Sequence, residues 1–108
     1  MAVKSRDQRS TPAKAAPAAN RGWTFLTNHG HVLLCLAREE PLTARELAAR
    51  IGITERAVQA ILTDLTEDGY LAKSKDGRRN IYAVNAHGRL RHPLESHHTV
   101  ADLIEALR

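Results

Sequence analysis

Two short amphipathic stretches meet at a single glycine, and that junction restricts the chain more than any other feature. Before it, Thr43-Ala44-Arg45-Glu46 has the form of a capping box. The Thr43 hydroxyl can accept from the amide of Glu46, while the Glu46 carboxylate reaches back to the amide of Thr43. The helix so opened turns Leu47, Ala48 and Ile51 inward, and Gly52 can turn with positive φ. Ile53 then packs inward and Thr54 caps a second helix of about fourteen residues, roughly 21 Å long. Val58, Ile61, Leu62 and Leu65 follow at i, i+3, i+4 and i+7, and Gly69 closes the helix.

The flanking segments complete the pattern. Trp23 to Arg38 reads as an earlier helix, with Phe25, Leu26, His29, Val32, Leu33, Leu36 and Ala37 on one broad stripe. Gly30 within it costs about 1 kcal/mol relative to Ala. Pro41 ends this region, and Leu42 enters the core from an extended link. After Gly69, Tyr70 to Lys75 leads into Asp76-Gly77 as a two-residue turn, and Arg78 to Val84 returns. That turn sets Lys75 opposite Arg78 and Ser74 opposite Arg79. Asn85 to Arg91 read as irregular. A last helix carries Val100, Leu103, Ile104 and Leu107 on one stripe, with Thr99 and Asp102, or else Pro93, as its start signal.

Helix, short turn, helix and a basic hairpin is the layout of a winged helix-turn-helix, and the likeness extends to single residues. Leu47-Ala48, Ile51-Gly52-Ile53, Val58 and Ile61 occupy the apolar and small positions of that motif. Asp64-Leu65-Thr66-Glu67-Asp68-Gly69-Tyr70-Leu71 and the wing Gly77 to Tyr82 resemble those of MarR-like and ArsR-like regulators, so the resemblance covers about residues 24–84. It implies a mainly α fold with a small β wing: a three-helix core, a two-stranded hairpin and a C-terminal helix. It also implies a transcriptional regulator that binds double-stranded DNA, with repression as the expected direction.

Composition bounds the alternatives. A chain of 108 residues suits one domain with a modest core, and one Phe, one Trp and two Tyr leave that core to Leu, Ile, Val and Ala. The single Cys35 rules out an internal disulfide and a Cys-based zinc cluster, in keeping with a reducing cytoplasm; its place in an apolar run marks a structural thiol. No run approaches the roughly 18 apolar residues that span a membrane, and no secretory signal is seen. A soluble, cytoplasmic, nucleoid-associated protein is expected. The formal charge of +4 resides in residues 1–22, where Lys4, Arg6, Arg9, Lys14 and Arg21 face only Asp7. This Ala/Pro-rich segment reads as a disordered basic tail, either a DNA-contacting arm or a solubilising leader. Residues 23–91 form the DNA-binding domain and residues 92–108 the C-terminal helix, a dimerisation element. The balanced remainder gives no bulk argument for nucleic acid, so local clustering must supply it.

Such clustering exists. With its apolar side chains turned inward, the second helix of the motif offers Thr54, Glu55, Arg56, Gln59, Ala60 and Thr63 to the base edges of a major groove. Arg bonds guanine bidentately, Gln bonds adenine, and Ala touches a thymine methyl. Glu55 could read cytosine, cap its own helix or hold Arg56. The wing holds Lys73, Lys75, Arg78 and Arg79 against Asp76, with Asn80 beside them, for phosphate or minor-groove contact. Standing alone, that cluster would be an ordinary solvated turn.

Val100, Leu103, Ile104 and Leu107 must pack somewhere, on the chain's own first helix or on a second chain, and a homodimer is the expectation. Six histidines raise metal sensing: His92, His97 and His98, with Glu95 and Asp102, are the candidates, against ordinary surface histidines. Neighbours such as His97 and His98 diverge on a helix, which weakens a shared site. No metal is assigned, no cofactor is expected, and the identity of any effector stays open. Without a nucleophile, base and orienter, or a Gly-rich phosphate loop, no enzyme is expected. The rivals are a winged helix used as a protein-interaction module and a metal-responsive ArsR-like sensor. Arg56, Gln59, Arg78 and Arg79 favour DNA over a protein partner, since protein interfaces favour aromatic anchors.

Overall fold

The computed structural model describes residues 22–38 and 41–108, so the basic tail lies, Gly22 apart, outside the described residues. The elements are α1 (Asn28–Arg38), α2 (Ala44–Ile51), α3 (Glu55–Glu67), β1 (Leu71–Asp76), β2 (Arg79–Val84) and α4 (Val100–Ala106). Three helices with a two-stranded antiparallel wing and a C-terminal helix make the mainly α winged helix that the patterning implies.

The first helix starts later than its apolar stripe suggests. Thr27 acts as its cap: the hydroxyl accepts from the Gly30 amide at 3.2 Å and the carbonyl from the His31 amide at 3.0 Å. Residues before it are therefore not helical, and Phe25 is 93% exposed instead of lying on the core face. Ala37 is exposed as well, whereas Leu34 is buried beside Val32, Leu33 and Leu36.

The capping box at Thr43 forms as expected, with Thr43 amide to Glu46 Oε1 at 2.8 Å and Glu46 amide to Thr43 Oγ1 at 3.1 Å. Gly52 ends α2 at φ 87°, which lets its amide and that of Ile53 both return to the Ala48 carbonyl. That turn sets α3 across α2, and the stripes close on α1. Leu47, Val32 and Val58 are fully buried, each adding about 1.5–3 kcal/mol of apolar transfer. Ile61, Leu62, Leu65, Leu42, Leu71 and Val100 complete the cluster.

The hairpin register differs from the expected one. Asp76 pairs with Arg79, Lys75 with Asn80 and Ser74 with Ile81, so the two turn residues are Gly77 and Arg78. Both Asp-Gly and Gly-X can make a two-residue turn. The register realised sets Leu71 against Val84 at the base of the wing, two aliphatic side chains on the core, with Gly77 at φ 66° in the first turn position.

Of the two start signals for the last helix, Thr99 is used. Its hydroxyl accepts from the Asp102 amide at 3.2 Å while the Asp102 carboxylate accepts from the Thr99 amide at 3.0 Å. Backbone bonds from Leu90 to His98, Val100 to Gly88 and Ala101 to Ala86 stitch this end onto the segment after the wing. Val100 is 1% exposed and belongs to the core of its own protomer, which removes it from the expected dimer face. Ile104 packs on the same core, and the Arg38 guanidinium donates to the Leu107 carbonyl at 2.8 Å. Tyr70 lies flat against Gly88, where a Cβ would meet its ring carbons at 2.9 Å, and the Tyr70 hydroxyl donates to the Arg89 carbonyl.

Candidate nucleic-acid interface

The exposed face of α3 arises because its other face is fixed by burial. Val58, Ile61, Leu62 and Leu65 point into the core, which leaves Thr54, Glu55, Arg56, Gln59, Ala60 and Thr63 exposed, as the sequence placed them. The Thr54 hydroxyl accepts from the Ala57 amide at 3.0 Å, so the helix is already capped. Glu55 is thus not needed for capping, and its partner is a residue the sequence reading missed. Arg45 of α2, 87% exposed, sets its Nε 3.7 Å from the Glu55 carboxylate. The pair lies ten positions apart across a turn, where no periodicity could reveal it.

The wing presents its cations on both faces. Lys73 and Lys75 share the face of Leu71, with Tyr82 and Asn80 opposite them, whereas Arg79 lies on the other face opposite Asp76, and Arg78 occupies the turn. All five wing residues, Lys73, Lys75, Arg78, Arg79 and Asn80, are exposed. The Thr43 amide and hydroxyl hold the Glu46 carboxyl below its ordinary 4.5, with smaller help from the charges of Arg79 and Arg50. The wing cation therefore acts on the same side of the molecule as the start of α2. A helix with polar atoms on one face suits the major groove, and flexible cations beside it suit the phosphates that flank one.

On the far edge of α3, His29 Nε2 lies 2.9 Å from the Asp64 carboxylate, and Arg91 donates to Asp68 at 2.7 Å. Of the metal candidates, His92 Nδ1 accepts from the Leu94 amide and His98 Nδ1 lies 3.0 Å from Asp102. His97 and His98 belong to turn and bridge geometry instead of a helix, and their rings sit 4.3 Å apart instead of diverging. Among the described residues no group of three or more His, Cys, Asp or Glu is arranged to hold a metal ion, and no helix is long and apolar enough to cross a membrane.

The profile of the MarR family matches residues 24–79. The chain is 40% identical over 53 residues to the transcriptional regulator AdcR of Streptococcus pneumoniae, covering 49% of this chain and 36% of that protein. It is 30% identical over 57 residues to an HTH-type transcriptional regulator of Bacillus cereus, covering 53% of this chain and 39% of that one. The chain thus spans well under half the length of these curated relatives. A crystal structure of the zinc-dependent MarR-family regulator AdcR, in its Zn(II)-bound state, aligns with a TM-score of 0.47 at 35% identity, over 57% of this chain and 44% of its own.

Proposed function

Because the chain belongs to the MarR family, we propose that it is a sequence-specific transcriptional regulator of double-stranded DNA, acting as a repressor and without catalysis. The observation that carries this reading is the exposed polar face of α3, free along its N-terminal half while the opposite face is fully used by the core. In that role Arg56 bonds guanine, Gln59 bonds adenine and Ala60 meets a thymine methyl, with Thr54 and Thr63 adding hydroxyl contacts. Glu55 accepts from a cytosine amino group, held by Arg45 from below. Lys73, Lys75, Arg78, Arg79 and Asn80 hold phosphates or enter the minor groove.

Two copies are needed to set recognition helices about 34 Å apart on successive grooves. Leu103, the outer edge of Ile104 and Leu107 offer the apolar surface for that homodimer; Leu107 is 41% exposed. The protein works in the cytoplasm on the nucleoid. Selection of bound sites from a random duplex library tests the reading directly. On the selected site, Arg56→Ala and Gln59→Ala should each cost about 1–3 kcal/mol, and binding to random duplex should change little. Equal losses on both DNAs would overturn the assignment of these side chains to bases.

A further inference from the structure

The chain has one Trp and one Phe, and both stand at the surface. Trp23 is 64% and Phe25 93% exposed, and their rings meet edge to face at 5.1 Å. An apolar core short of aromatics would gain by burying them, so their exposure calls for a ligand or partner. Phe25 stands on the rim of a groove of about 880 Å³, which is within the usual range for small-molecule sites. The floor is apolar: Leu26, Leu33, Leu65, Tyr70, Leu90 and Leu103 line it.

Its polar groups have one sign in excess. Asp64, Asp68 and Glu95 face a single guanidinium, Arg91, which leaves two negative charges when His29 is neutral. His29 engages Asp64, and Arg91 engages Asp68. The Glu95 carboxylate has no hydrogen-bonding or ionic partner among the described residues. An apolar floor, an aromatic rim and an unpaired carboxylate together suit one chemistry. A lipophilic organic cation would lay its hydrocarbon on the floor, its charge near Glu95, and its positive face toward Phe25 and Trp23. A neutral or anionic body of the same shape would gain only the floor, and an anion would be repelled.

We propose that this groove binds an organic cation with an apolar body, through Glu95 and the Trp23–Phe25 pair. The site lies at the back of α3, away from the residues assigned to DNA, and the proposal does not depend on that assignment.

Trp23, the only tryptophan, reports occupancy in the full-length protein without DNA. Tetraphenylphosphonium and tetraphenylborate are matched in shape and opposite in charge. The expected result is saturable quenching of Trp23 by the phosphonium, and binding of the borate at least tenfold weaker. Glu95→Gln should weaken the phosphonium about fivefold and narrow the gap between the two probes. Phe25→Leu should weaken the phosphonium alone by a few fold. Circular dichroism spectra unchanged from the parent check that both variants are folded, and both positions are exposed. Two results would overturn the site. One is equal binding of both ions, or binding indifferent to Glu95. The other is a blue shift of Trp23 emission with protein concentration while the phosphonium fails to bind, which would make the patch an interface between chains.

Discussion

Replacing Arg78 and Arg79 together by alanine isolates the electrostatic part of the wing. Both side chains are exposed, Arg78 in the turn and Arg79 on the outer face opposite Asp76. Neither contributes to the core, so the melting temperature should stay close to that of the parent. If each holds one phosphate, removing both lowers the slope of log K against log salt by about 1.8, since each contact releases about 0.9 counterion. Over a rise from about 50 to 200 mM salt, that difference means the parent loses roughly twelvefold more affinity than the variant. Asp76 is present in both proteins, so its repulsion cancels in the comparison. Fluorescence anisotropy of a labelled random duplex at four or five salt concentrations gives both slopes. Parallel lines displaced by a constant would show that the two arginines act without displacing counterions. Coincident lines would mean the wing stands clear of the DNA, and the phosphate role would fall.

Leu47→Ala, at a position with no exposure, should destabilise the domain by about 2–5 kcal/mol in urea unfolding, and a loss under 1 would place Leu47 outside the cooperative core. The Glu46 carboxyl is held below 4.5 when folded, so its contribution is complete above that value and is lost as pH falls through the lower folded value. Melting curves of the parent should therefore drop more steeply between about pH 4.5 and 3 than those of Glu46→Gln; identical curves would show that the capping box carries no ionic share. Leu107→Glu leaves the protomer core untouched but puts a charge on the proposed dimer face. Sedimentation should then report a folded monomer with weakened operator binding, and a variant that still sediments as a dimer would move the interface elsewhere.

What the sequence disclosed follows the range of the forces involved. The Thr43 capping box, the Gly52 turn and the α3 stripe are decided within a few residues, and they fall where periodicity puts them. Thr27 was an equally local signal, hidden because an apolar stripe seemed to run on through Phe25 to Trp23. The hairpin register needed more: two overlapping glycine dipeptides each satisfy the turn, and only the pairing of Leu71 with Val84 separates them. The choice between Thr99 and Pro93 rested on the Val100 to Gly88 backbone bond, a contact across the fold. In the candidate interface, the exposed face of α3 could be read as the complement of its buried one. Arg45 could not, because its partner Glu55 is brought near by the angle of the turn and not by spacing. Nor could composition show that the largest aromatics are left outside.

The ring of Tyr70 on Gly88 makes two distant positions answerable to one another. Gly88 is not held to glycine by its backbone angles; a methyl group there would simply occupy the place of the ring. Any side chain at 88 thus requires a smaller residue at 70, and a smaller residue at 70 gives up the hydroxyl bond to Arg89 that ties the end of the recognition helix to the chain's last segment. The two sites should drift as a unit: either change alone is costly, and the double change costs less than the sum. In a set of related sequences this would be visible as linked substitution at positions with no shared chemistry, a trace of packing that has nothing to do with DNA.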